Sequence, residues 1–124
     1  MKRIVIDVDD TLTDNSSAGR YEEKMPRKEV VEQLRKYREL DFEIVLYTAR
    51  NMRTYKGNIG LINANTLPTL INWLALHDIP YDEIHVGKPW CGFEGFYVDD
   101  KTIRPDEFVQ MTYDEIQQML KIEN

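Results

Sequence analysis

Asp7, Asp9 and Asp10 put three carboxylates within four residues, with Thr11 directly after them. They follow Ile4-Val5-Ile6, an apolar run that fits a strand buried on both faces. On extended backbone Asp7 and Asp9, two apart, point the same way. Like charges that close are costly unless a cation or a proton sits among them. Asp9-Asp10-Thr11 could equally close a turn and satisfy loop amides. Three more apolar runs end in polar residues: Phe42–Tyr47 in Thr48, Glu83–Val86 in Lys88, and Gly95–Val98 in Asp99-Asp100.

An aspartate that attacks a phosphoryl group has three requirements. Positive charge must sit between two anions. Mg²⁺ on hard oxygen ligands supplies it, and Asp7 with Asp99 or Asp100 gives the right ligand type. The transferring oxygens need fixed donors, for which Thr48 and Lys88 are candidates. The leaving alkoxide needs a proton. Asp9, held protonated by crowding from Asp7, could give one and then take one from the water that hydrolyses the aspartyl-phosphate.

These residues must be brought together by a parallel sheet whose strands end at one edge. Residues 13–25 read as a loop or small hairpin able to fold over the first strand's end. Pro26 opens an amphipathic helix over 26–40, carried by Val30, Val31, Leu34, Tyr37 and Leu40. A right-handed crossover then delivers Thr48 to the edge where Asp7 lies. Residues 51–65 read as a polar loop with Gly57 and Gly60. Arg50, Arg53 and Lys56 make this region electropositive with no acid between them. Such a run is usually solvated surface. Beside an acidic site with an anionic substrate it fits a substrate contact, as does Thr11. Asn65 or Thr66 caps a second helix, with Pro68 in its first turn and Leu67, Leu70, Ile71 and Leu74 as its buried stripe. Residues 83–86 and 95–98 give the third and fourth strands, and 108–110 an edge strand. Thr112 and Glu115 form a capping box for a last helix with stripe Ile116, Met119 and Leu120.

The 124 residues suit a single domain, 1–124. A net charge of −6 argues against a broad nucleic-acid footprint. One cysteine, Cys91, allows no internal disulfide and suits a reducing compartment. The apolar run after Lys2-Arg3 is too short for a signal peptide, and no stretch reads as a membrane span, so a cytoplasmic protein without a membrane partner is expected. Trp90 could stack on a sugar or base, or anchor its loop. Trp73 reads as core or subunit contact. Cys91, His77, His85, Asp14, Glu22 and Glu23 read as ordinary packed or solvated groups.

Asp7-Val8-Asp9-Asp10-Thr11, Thr48, Lys88 in Val86-Gly87-Lys88-Pro89, and Asp99-Asp100 resemble, in order, the four motifs of the haloacid dehalogenase superfamily of phosphotransferases. The resemblance implies a Rossmann-like three-layer α/β sandwich with a mostly parallel central sheet. Asp7 would be the phosphorylated nucleophile. Asp9 would be the general acid/base, its backbone carbonyl on Mg²⁺. Thr48 and Lys88 would hold the phosphoryl oxygens. Asp99 and Asp100 would bind Mg²⁺ directly or through water. Asp10 departs from the glycine often found there. About 36 residues lie between Thr11 and Thr48, which leaves no room for a cap domain. The open site could be covered by a second subunit. The chain is also similar to small stand-alone phosphatases of bacterial capsular polysaccharide synthesis, which implies a sugar phosphate or related metabolite as substrate.

Two other functions compete. A polynucleotide end phosphatase is disfavoured by the net charge, while Arg50, Arg53 and Lys56 leave it open. A receiver-type signalling module would need an acceptor aspartate on a middle strand, and none lies between Phe42 and His77.

Overall fold

The computed structural model describes residues 2–122. The chain divides into two compact units, Met1–Trp90 and Cys91–Asn124.

The first unit is α/β. A parallel sheet of order β1-β4-β5 is built from β1 (Arg3–Asp7), β4 (Glu43–Tyr47) and β5 (Glu83–His85), flanked by helices. Register pairs Asp7 with Tyr47, and Tyr47 with His85, so the strands finish level. A small antiparallel pair, β2 (Thr13–Asp14) and β3 (Met25–Pro26), frames a flap that includes one 3-10 turn, Tyr21–Glu23. The remaining elements are α1 (Lys28–Glu39), α2 (Ile59–Asn65) and α3 (Leu67–Leu76). Val8, Leu12, Leu34, Ile44, Leu46, Ile62, Leu70 and Leu74 are fully buried. Their removal from water is the main stabilising term.

Several expectations are corrected here. Val5 is 59% exposed, so β1 is not covered on both faces. Among the described strands β1 pairs only with β4, as an edge. Pro26 belongs to β3. The helix starts two residues later, because Arg27 donates its backbone N–H to Leu12 O (2.8 Å) before the chain coils. The expected 51–65 loop ends in α2, which Asn58 caps by accepting from Leu61 N (3.1 Å) while Ile62 is buried. Thr66 sits at the start of α3 but gives its hydroxyl to Asn51 Oδ1 (2.7 Å) instead of capping the helix. Trp73 is core, and Ile71 faces outward.

The second unit holds α4 (Pro105–Gln110) and α5 (Tyr113–Leu120). The expected strand at 95–98 is absent. Phe96 and Val98 are exposed, and the backbone N–H of Cys91 donates to the Tyr97 hydroxyl (3.3 Å), so this stretch folds onto its own turn. Residues 108–110 are helical. Pro105 opens that helix and Glu107 Oε1 accepts from Arg104 N (2.8 Å), a start signal that outweighs two apolar residues. The capping box forms: Thr112 Oγ1 accepts from Glu115 N, and Glu115 Oε1 from Thr112 N. Ile116 is buried, while Met119 is 42% exposed.

Candidate active site

The turn after β1 is shaped by one carbonyl. Val8 O accepts from the backbone N–H groups of Thr11, Leu12 and Thr13, while the Val8 and Leu12 side chains are fully buried beneath. Asp10 adopts φ +59, the left-handed region, which explains why a glycine suits this position and an aspartate is tolerated. Its N–H donates to buried Thr13 Oγ1 (2.9 Å), and its carboxylate accepts from Arg27 Nη2 (2.7 Å). The turn reading and the site reading thus divide the cluster. Asp10 closes the turn, while Asp7 and Asp9 face the ends of β4 and β5.

Asp7 ends β1 with its side chain 34% exposed. Thr11 Oγ1 donates to its Oδ2 (3.2 Å), and Lys88 Nζ lies 3.5 Å from its Oδ1. Burial pushes the Asp7 carboxyl above its ordinary range. The Lys88 ammonium pulls it back, and the negative charge of Asp9 pushes it up again.

Asp9 is held differently. Arg50 Nη2 donates to Oδ1 (2.7 Å) and Nε to Oδ1 (3.1 Å), and Thr48 Oγ1 donates to Oδ2 (3.1 Å). The Arg50 side chain is 2% exposed, and Thr48 is fully buried. Asp9 therefore faces a guanidinium and is not simply crowded by Asp7. Arg50, expected as a substrate contact, holds a site carboxylate. Thr48 and Arg50 meet on Asp9 because the chain turns after β4, with Arg50 N donating to Thr48 Oγ1 (3.0 Å), a turn with no sequence signal of its own.

Main-chain bonds join the two halves. Thr48 N donates to His85 O (3.0 Å), and Lys88 N to Thr48 O (3.1 Å), continuing the ladder past the strand ends. Gly87 makes this junction, with φ +86 and Ile59 Cδ1 2.6 Å from where a Cβ would stand. The flap closes on the same region. The Tyr21 ring lies 4.2 Å from the Arg50 guanidinium carbon, and Trp73 Nε1 donates to Lys24 O (2.8 Å). Neither Tyr21 nor Gly87 carried a sequence signal of its own.

Arg53 and Lys56 are exposed, Arg53 lying 5.9 Å from the centre of the Trp90 ring. Trp90 is itself 40% exposed. Asp99 and Asp100 belong to the second unit. There the Lys101 backbone N–H (3.0 Å to Oδ1), and then the Asp100 side chain, hold the Asp99 carboxyl below its ordinary range. Among the described residues, no group of three or more His, Cys, Asp or Glu gathers as a metal cage.

A crystal structure of an MCSG target from Vibrio cholerae matches this chain with 53% identity over 100% of both chains, at a TM-score of 0.94. The chain belongs to that protein's family. No protein-family model matches the chain, and no curated protein matches it. Among the described residues no helix is long and apolar enough to cross a membrane.

Proposed function

We propose that this protein is a phosphomonoester hydrolase of the haloacid dehalogenase type, acting through an aspartyl-phosphate on Asp7. The observation that carries the reading is the pairing at the sheet edge: Lys88 on Asp7, Thr48 on Asp9, and Lys88 bonded through its backbone to Thr48. Two carboxylates, one cation and one hydroxyl thereby meet where β1 and β4 end.

An Asp7 oxygen attacks phosphorus, and the ester P–O bond breaks. The departing alkoxide takes a proton from Asp9, which must first leave the Arg50 guanidinium to carry one. Water then attacks the aspartyl-phosphate, Asp9 takes a proton from it, and phosphate leaves with Asp7 restored. Lys88 and the Thr48 hydroxyl steady the phosphoryl oxygens as charge builds on them. Thr48 currently donates to Asp9, so its hydroxyl must turn towards substrate. The Asp7 carboxylate, half-buried and beside the charge of Asp9, is a hard oxygen donor of the kind Mg²⁺ takes. With the Asp9 backbone carbonyl it fits as the start of a ligand set. Bound there, Mg²⁺ would supply positive charge between nucleophile and phosphate. Asp99 and Asp100 are proposed ligands on the motif resemblance alone. Separate Asp99→Asn and Asp100→Asn variants, assayed for the Mg²⁺ needed for half-maximal rate, test each. A small phosphorylated metabolite, a sugar phosphate above all, is the proposed substrate, and the cytoplasm the proposed compartment.

The test is phosphate release from an aryl phosphate, with and without Mg²⁺, for wild type and Asp7→Asn. Mg²⁺-dependent release that vanishes in the variant supports the reading. Equal release by both proteins removes Asp7 as nucleophile and overturns it.

A further inference from the structure

We propose that two copies of this chain exchange their second units, so that residues 95–98 of each copy lie along β1 of the other and bring Asp99 and Asp100 to the partner's Asp7. The role of those carboxylates rests on the phosphatase reading; the exchange itself does not. Two unfilled surfaces point to it. Among the described strands β1 pairs only with β4, so the N–H and C=O groups of its other edge join no ladder. Val5, in the middle of β1, is 59% exposed. In the second unit Phe93, Phe96 and Val98 are 82%, 80% and 88% exposed, and Tyr97 51%. Among that unit's described residues only Phe108 and Ile116 are buried. Below about 40 residues a unit usually needs disulfides, a metal or another chain to hold it. Cys91–Asn124 is below that size and has one cysteine.

Composition, area and charge name a second copy as the occupant. Gly95-Phe96-Tyr97-Val98 has strand composition, and an open sheet edge takes such a segment through main-chain hydrogen bonds. Within one chain no described strand joins the two surfaces. A second copy brings both of them again, and a reciprocal two-fold pair fills all four and closes. At these exposures Phe93, Phe96, Tyr97, Val98 and Val5 offer roughly 600 Å² per copy. The pair then covers roughly 1,200 Å² before the strand backbones are counted, which reaches the size of a stable interface. Charge decides which surfaces meet. Residues 91–124 carry eight acids and three bases, whereas residues 1–90 carry fourteen acids and thirteen bases. Two second units repel each other, but each can approach a nearly neutral first unit. Running parallel to β1, as β4 does, the segment delivers Asp99 and Asp100 to the end where Asp7 lies. The site of each copy is then incomplete without the other.

The test begins with mass by analytical ultracentrifugation, which needs no turnover. Wild type should sediment at twice the 14.7 kDa of one chain, and a chain carrying Phe96→Glu with Val98→Glu at the mass of one. Both side chains are exposed, so neither change disturbs a core. Wild type at the mass of one chain in the micromolar range overturns the proposal, and so does a double variant that stays paired. Next, an Asp7→Asn chain and an Asp99→Asn, Asp100→Asn chain, each with its own affinity tag, are co-expressed and the mixed pair is isolated. With exchange, the mixed pair rebuilds one site of two and should release phosphate from an aryl phosphate at about half the wild-type rate. Without exchange neither site is whole. Release no faster than from the separate variants, beside an active wild type, overturns the proposal. A wild type that releases no phosphate sinks the phosphatase reading, while the masses still judge the exchange.

Discussion

Asp7 and Asp9 are two residues apart and chemically alike, yet the fold treats them in opposite ways. Asp7 is left with one hydroxyl and one ammonium at 3.5 Å, and burial works against its charge. Asp9 is saturated, with a buried guanidinium and a buried hydroxyl across its two oxygens. A poorly compensated carboxylate is open to a cation or an electrophile. A saturated one is fixed in place and must be released to act. Environment thus assigns roles that composition leaves equal, as the proposed division between nucleophile and proton carrier requires.

The largest effect expected is on Asp7. Asp7→Asn should lower turnover by at least about a thousandfold, measured as phosphate release. The same substitution should stabilise the fold. Because burial raises the Asp7 carboxyl, the native state holds that proton more tightly than the unfolded chain. This contribution is full below the ordinary value, 3.8, and is lost as pH rises through the raised one. In chelator at neutral pH, Asp7→Asn should therefore melt above wild type, with the gap closing towards pH 3.8. A variant that melts lower at neutral pH would mean that Lys88 compensates Asp7 fully, and the contrast with Asp9 would fail.

Arg50→Met should do the reverse, costing about 2–3 kcal/mol in denaturant unfolding. It strands Asp9 without its partner, less the relief that partial solvent contact gives. Arg50→Lys should recover only part, since an ammonium cannot reproduce the two-nitrogen contact. Lys88→Met sharpens the comparison from the other side. Lys88 draws the Asp7 carboxyl down, so without it the acid limb of the pH–rate profile should move to higher pH. An unmoved limb would detach Lys88 from Asp7.

The sequence was most legible where local chemistry and tertiary role agree. β1, β4 and β5 lie where apolar runs and their polar ends put them, and the motif residues of the first unit do converge. Three features were not legible, each because a non-local partner determines it. Arg50 reads as a loop cation until Asp9 is seen beside it. Tyr21 carries no signal of its own until Arg50 is seen against its ring. The 95–98 run has strand composition, but among the described residues no strand pairs with it, and composition alone does not make a sheet. The missed α2 is different. Asn58, Ile59 and Ile62 were a cap and a short stripe hidden by two glycines.

Smaller effects test how the flap and the junction hold the two carboxylates apart. Gly87→Ala combines a positive φ with a 2.6 Å approach to Ile59 and should cost about 1–3 kcal/mol. Because it displaces Lys88, its activity loss should fall on the Asp7 side. Trp73→Phe should cost least, about 1–2 kcal/mol, through one lost hydrogen bond and a small void. The Trp73 indole holds Lys24 O, at the flap's base, and packs on the His77 ring. If the flap steadies Asp9 through Tyr21 and Arg50, Trp73→Phe should speed amide exchange at Arg50, whose N–H donates to Thr48 Oγ1, more than at Asp7. Equal acceleration at both would show that the flap braces the whole sheet edge, and the Asp9 side would lose its claim to a separate support.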